Sequence, residues 1–110
     1  MSNLIKNNLS YIQLLAYTKS KPQREALIQT VTRDHVKTII EITYNIINLN
    51  VPLGKKESRK LVKHITILKE IANRRNTLKK ITKLIKSNHL IILLIVKAAL
   101  PALQSIFLKQ

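Results

Sequence analysis

Residues 54–86 read GKKESRKLVKHITILKEIANRRNTLKKITKLIK and hold twelve of the chain's twenty Lys and Arg residues against two of its five acids. Ten of the fifteen excess positive charges therefore fall in less than a third of the chain. Threaded through them are Leu61, Ile65, Leu68 and Ala72, then Leu78, Ile81 and Ile85, at the three- and four-residue steps that put apolar side chains on one face of a helix. The stretch predicts two amphipathic helices with cationic outer faces, separated near Asn73 to Thr77, where Asn76 or Thr77 caps the second. A basic run with no apolar stripe would read as a solvated tail. This one can dock on a core and hold its charges in a fixed pattern.

Upstream, Ser2 or Asn3 caps a first helix whose Ile5, Leu9, Ile12 and Ala16 share a face, ending near Thr18 to Lys21. Pro22 suits the first turn of a short second helix carrying Ala26, Leu27 and Val31, because its missing N–H is not needed there. Thr32 caps a third helix with Asp34 in its first turn and a broad apolar face of Val36, Ile39, Ile40, Thr43, Ile46 and Ile47. That helix is expected at the centre of the molecule, with Ile39, Ile40 and Ile46 innermost. The one clear break is Asn48 to Gly54, where Pro52 disfavours helix at Val51 and Gly54 is the only glycine.

Downstream, residues 90–108 read LIILLIVKAALPALQSIFL, nineteen residues interrupted only by Lys97, Pro101, Gln104 and Ser105. The length borders on a membrane span of about 20 residues, but a lysine near the middle is penalised by about 2.5–3.5 kcal/mol on insertion scales. Burial in the bundle or at a subunit interface is the expectation. A segment shielded in one state and inserted into a bilayer or a protein groove in another is the alternative. The side chains that would carry such contacts are Leu90, Ile91, Ile92, Leu93, Leu94, Ile95, Val96, Leu100, Leu103, Ile106 and Phe107.

One glycine, three prolines and 45% hydrophobic residues in 110 residues favour long helices over turns and argue against wholesale disorder. The expected fold is all-α: a compact bundle of five or six helices, with a basic helical domain over 1–88 and a hydrophobic C-terminal segment over 89–110 packed on it. A net charge of +15 calls for an anionic partner, since self-repulsion of that size opposes folding unless something neutralises it. Lack of Cys removes disulfides, thiolate metal sites and a Cys nucleophile. The opening MSNLIKNNLSYIQLL is too polar for a secretory signal.

Catalysis is not indicated. Glu25, Asp34, Glu41, Glu57 and Glu70 are scattered, the adjacent Asp34 and His35 point apart on a helix, and His35, His64 and His89 lack metal-ligand spacing. No cofactor or metal is expected. Binding is better supported, through Lys55, Lys56, Arg59, Lys60, Lys63, Arg74, Arg75, Lys79, Lys80, Lys83 and Lys86, whose helical spacing can follow a phosphate backbone. A face built only for solubility usually mixes signs. The patch holds no aromatic residue, so sequence-specific readout is not expected, and Tyr11, Tyr17 and Tyr44 are assigned to core packing. A helix-turn-helix across Asn73 to Thr77 has no turn signature.

The order of features resembles a small basic protein encoded by Polinton/Maverick elements and adintoviruses. The resemblance rests on K-x-K-P-x-Q-R at Lys19, Lys21, Pro22, Gln23 and Arg24, and on an asparagine-containing V-P-L break at Asn48, Asn50, Val51, Pro52 and Leu53. Further matches are Leu61, Leu68, Lys69, Ile71 and Ala72, then the pair Lys79 and Lys80 before a closing apolar segment. The chain has Ser87, Asn88 and His89 where the family commonly has a glycine pair, and Gly54 where it tends to have a better capping residue. The resemblance implies a virion-associated protein of a double-stranded DNA virus, loosely comparable to adenovirus small core proteins, present in the host nucleus or cytoplasm during assembly. Its expected role is non-specific binding of double-stranded DNA for genome packaging. The alternatives are a minor capsid-lining or cement protein that meets acidic capsid protein surfaces, as a homo-oligomer or alone, and a membrane-active entry protein.

Overall fold

In the computed structural model, which describes residues 3–108, every regular element is an α-helix. In order they are α1 (Asn3–Asn7), α2 (Leu9–Tyr17), α3 (Lys21–Gln29), α4 (Arg33–Ile47), α5 (Lys55–Val62), α6 (Ile65–Ile71), α7 (Leu78–Ser87) and α8 (His89–Phe107). The all-α bundle is as expected. Eight helices appear among the described residues because the first and fourth expected helices are each broken once.

Asparagine stands at three of the boundaries. Asn8, Asn48 and Asn88 each turn the side-chain amide back to donate to a carbonyl four residues earlier, on Leu4, Tyr44 and Leu84, at 2.8 Å in each case. Each amide satisfies one of the carbonyls that a helix end leaves open, but the same bond from Asn45 to the Glu41 carbonyl at 2.8 Å lies inside α4, so it accompanies these ends rather than causing them. The first expected helix splits at Asn8, although its Ile5, Leu9, Ile12 and Ala16 are all buried as the spacing required. Ser2 lies outside the described residues. The second break is at Lys63–His64, where the His64 N–H donates to the Leu61 carbonyl instead of continuing the helix. It rotates α6 about its axis, so Ile71 is buried with Leu68 while Ile65 is 38% exposed and Ala72 only partly covered. The expected stripe of Leu61, Ile65, Leu68 and Ala72 is corrected at its second and fourth members for that reason.

α3 begins at the Ser20 cap, with Pro22 in its first turn, and buries Ile28 while Ala26 is exposed. The K-x-K-P-x-Q-R motif is thus a turn device. The Ser20 hydroxyl accepts from the Gln23 N–H at 3.4 Å, and Arg24 Nη1 donates to the carbonyls of Thr18 and Lys19 at 3.2 and 3.0 Å.

The cap of α4 is reciprocal: Thr32 Oγ1 accepts from the His35 N–H at 3.1 Å, and His35 Nδ1 accepts from the Thr32 N–H at 3.3 Å. α4 packs against α1, α6, α7 and α8, so it is central as expected. Ile39 and Ile42 are fully buried and Ile46 nearly so, but Ile40 is only partly covered, a correction to the expected trio. The hydroxyls of buried Thr38 and Thr43 donate to the carbonyls of Asp34 and Ile39 at 2.7 Å, leaving no cost of an unpaired group there.

α8 packs on α2, α4, α5 and α7. Its interruptions Lys97, Pro101 and Ser105 recur every four residues and are all exposed, whereas Ile92, Ile95, Val96, Ala99 and Leu103 are fully buried. Pro101 has no N–H for the Lys97 carbonyl, and because that pair faces solvent the helix continues without an orphaned buried group. Gln104 Nε2 donates to the Tyr17 hydroxyl at 3.1 Å, fastening the far end of α8 to α2. The radius of gyration is 12.8 Å, near the value of about 13 Å for a folded chain of this length. The C-terminal helix is therefore folded in rather than projecting.

Candidate nucleic-acid interface

The cations of 54–86 stand where the amphipathic pattern puts them. Lys55, Lys56, Arg59, Lys60 and Lys63 are exposed on α5 and its end, Arg74 and Arg75 in the α6–α7 connection, and Lys79, Lys80 and Lys83 on α7, with Lys86 partly covered. Leu61 turns inward from α5, and Ile81 and Ile85 from α7, so the charges are displayed from helices pinned to the core. Lys56, Lys60 and Lys63 succeed one another by single turns on α5, as do Lys79, Lys83 and Lys86 on α7. His64 shares one surface depression with Ser87, Asn88 and His89, which brings the C-terminal ends of the two basic helices together.

The two acids of the stretch are both engaged, Glu57 within α5 and Glu70 with the α6–α7 connection and α7. Glu57 folds back over the start of α5, where a side chain at Gly54 would collide with its carboxylate. That places its charge against the positive end of the helix dipole. Glu70 accepts from Asn76 Nδ2 at 3.3 Å and lies 3.7 Å from Lys80 Nζ. With both partners about half exposed, such a pair contributes less than about 1 kcal/mol and leaves Lys80 available to a phosphate.

The α6–α7 connection is ordered by its own side chains. Asn73 Oδ1 accepts from the Arg75 N–H at 3.0 Å, Asn76 Nδ2 donates to the Glu70 carbonyl at 2.8 Å, and Thr77 Oγ1 accepts from the Lys80 N–H at 3.1 Å to start α7. Arg74 extends from it over the ring of Tyr44, 4.8 Å from the centroid. Tyr44 is therefore not a core residue, as Tyr17 is not: the two are 37% and 62% exposed, and only Tyr11 is buried. Sequence spacing alone missed the Tyr44–Arg74 pair, because it joins a residue of α4 to one in the distant α6–α7 connection. Lys37, in the same depression as Tyr44 and Arg74, is a further cation that lay outside the basic stretch.

The histidines divide by role. His35 stacks on Tyr11 with ring centroids 3.7 Å apart and an interplanar angle of 7°. Its burial lowers its pKa below the ordinary histidine value, against an opposing pull from Asp34. The Tyr11 hydroxyl donates to the Leu27 carbonyl at 3.0 Å, and burial pushes its pKa up to about 12. These groups hold α2, α3 and α4 together. His89 Nε2 lies 3.8 Å from Glu25 Oε1, linking the start of α8 to α3. Among the described residues no three His, Asp or Glu side chains form a group that could hold a metal ion.

The apolar candidates of the C-terminal segment are mostly committed to the core. Ile92, Leu93, Ile95, Val96, Leu100 and Leu103 are buried, Ile91, Leu94 and Phe107 are partly covered, and Leu90 and Ile106 are exposed. α8 is long and apolar enough to cross a membrane by length and composition, but its apolar face is occupied by the other helices. Comparison with known protein families, with curated proteins and with solved structures finds no match to this chain.

Proposed function

We propose that the protein binds double-stranded DNA without sequence preference, through the outer faces of α5 and α7 and the Arg74–Arg75 connection, as a genome-associated component of a virus particle. The observation that carries this reading is the one-turn repetition of like charge. Lys55–Arg59, Lys56–Lys60 and Lys79–Lys83 are same-sign neighbours on exposed faces, and each such pair opposes helix formation by about 0.2–0.5 kcal/mol. A phosphate backbone converts that repulsion into binding by releasing condensed counterions. The particle context rests on the resemblance to the small basic proteins of adintoviruses.

The test is the affinity for duplexes of unrelated sequence as salt is varied. Six phosphate contacts give a slope of log affinity against log salt of about −5. Replacing Arg74, Arg75, Lys79 and Lys80 with glutamine flattens it by roughly three to four, with the helical signal intact. A slope near zero in the parent protein refutes DNA binding and returns the cationic face to an acidic protein surface.

A further inference from the structure

Where α4 passes into α5, the chain exposes apolar side chains that the DNA reading does not use. Leu49 is 89% exposed, Val62 65% and Ile65 38%. They stand at the rim of a groove floored by the buried side chains of Ile46, Leu61 and Leu68. The backbone at Leu49 is unusual as well, with φ at 60°. The Leu49 N–H donates to the Ile46 carbonyl at 3.1 Å and the Asn50 N–H to the Asn45 carbonyl at 2.8 Å. This is the paired bonding of a helix end whose left-handed residue is usually glycine, because a Cβ is disfavoured there. A leucine at that position strains the backbone and, exposed as it is, recovers little by burial in the free protein. Binding of a partner over the groove would recover it.

We propose that this groove docks an amphipathic helix of a partner protein whose apolar stripe is flanked by Asp and Glu. The groove lies between the end of α4 and the α5–α6 pair and is lined by apolar side chains and Ser58, the kind of surface on which an amphipathic helix lays its apolar face. The surroundings set the sign of the partner. Lys55 is one turn from Ser58, Arg59 one turn from Val62 and Lys69 one turn from Ile65, all exposed. An acidic helix therefore meets apolar surface at its centre and cations along its edges. A second copy of this chain would instead bring +15 against +15, and DNA has no apolar stripe to fill the centre.

The probe is a fluorescein-labelled helical peptide with leucines at i, i+3, i+4 and i+7 and glutamates elsewhere. It is measured beside its scrambled isomer and a version with lysine for glutamate, by anisotropy at physiological salt. The acidic amphipathic peptide is expected to bind about tenfold or more tighter than either control. Leu49→Gly is expected to weaken it about tenfold while raising the melting temperature and leaving duplex affinity unchanged, and Val62→Gln to weaken it without the thermal gain. Three outcomes overturn the proposal: scrambled or lysine peptide binding as tightly, Leu49→Gly binding as the parent does, or self-association in sedimentation that Leu49→Gly abolishes. The duplex measurement separates failure of this groove from failure of DNA binding.

Discussion

His35→Ala is expected to destabilise the protein by about 1–3 kcal/mol, the sum of a reciprocal cap bond at about 0.5–1.5 and an aromatic stack at about the same. The first is the Thr32 N–H donated to His35 Nδ1 and the second the parallel contact with Tyr11. For a domain of this size that lowers the melting temperature by about 4–12 °C. His35→Gln separates the two contributions, because a glutamine three residues after a Thr cap can accept the same N–H but cannot stack. It should lose about half as much.

The same pair of proteins tests the titration. Nδ1 accepts a hydrogen bond only when it carries no proton, and burial lowers the folded-state pKa of His35 below the value of about 6.5 for an unfolded histidine. Below that pH the unfolded chain binds more protons than the folded one. His35 therefore contributes its full stability above about pH 6.5 and loses it as pH falls through the folded value. The Glu25–His89 contact is common to both proteins and cancels in the difference. Thermal unfolding followed by circular dichroism at pH 8 and pH 5 should show a larger acid loss for the parent than for His35→Gln. Equal losses would refute the reasoning.

Ile42→Ala, at a fully buried site on the central helix, should cost about 2–5 kcal/mol in chemical denaturation. Ile40→Ala should cost clearly less because that side chain is only partly covered; equal costs would mean that α4 packs in another rotation. Deleting everything from Leu90 onward removes the partners of α2, α4 and α5, and should give an aggregating or molten product by light scattering and dye binding. A soluble, cooperatively folded truncation, with liposome dye release that requires the tail, would make α8 a detachable membrane element.

Much of the fold was legible because it rests on local chemistry. Thr32, Thr77 and Pro22 mark helix starts through interactions that span three residues or fewer, and the apolar spacing in α4 and α7 announced their buried faces. In α8 the polar interruptions mattered as much as the apolar run, since Lys97, Pro101 and Ser105 at four-residue steps trace the solvent stripe of a packed helix. What escaped were the interruptions that no residue type announces. Asn8 can equally cap or sit within a helix, and the break at Lys63–His64 has no Gly or Pro to announce it. One consequence was the misplaced register of Ile65 and Ala72.

The charge of the candidate site could be read from composition, but the apolar groove beside it could not, and α5 shows why. With about 100° per residue, its circumference divides into sectors: Leu61 faces the core, Lys56, Lys60 and Lys63 point away from it, and Ser58 and Val62 fall between. By spacing alone Val62, next to Leu61, reads as the edge of the core stripe, and covering it would need only a neighbouring helix. That neighbour is the end of α4, which turns off at Leu49 before reaching it. The chain's single glycine helped to mark the break at Asn48 to Gly54 but not where its left-handed residue falls, since Gly54 has an ordinary extended backbone with φ at −66° while the left-handed residue is a leucine. A left-handed leucine is the outcome that residue preferences predict least. Its cost is tolerated in the folded protein, and the exposed apolar surface it creates lies one helical turn from cations. Charge alone would explain a solvated basic face; it does not explain Leu49, and that difference is what separates a second binding surface from an extension of the first.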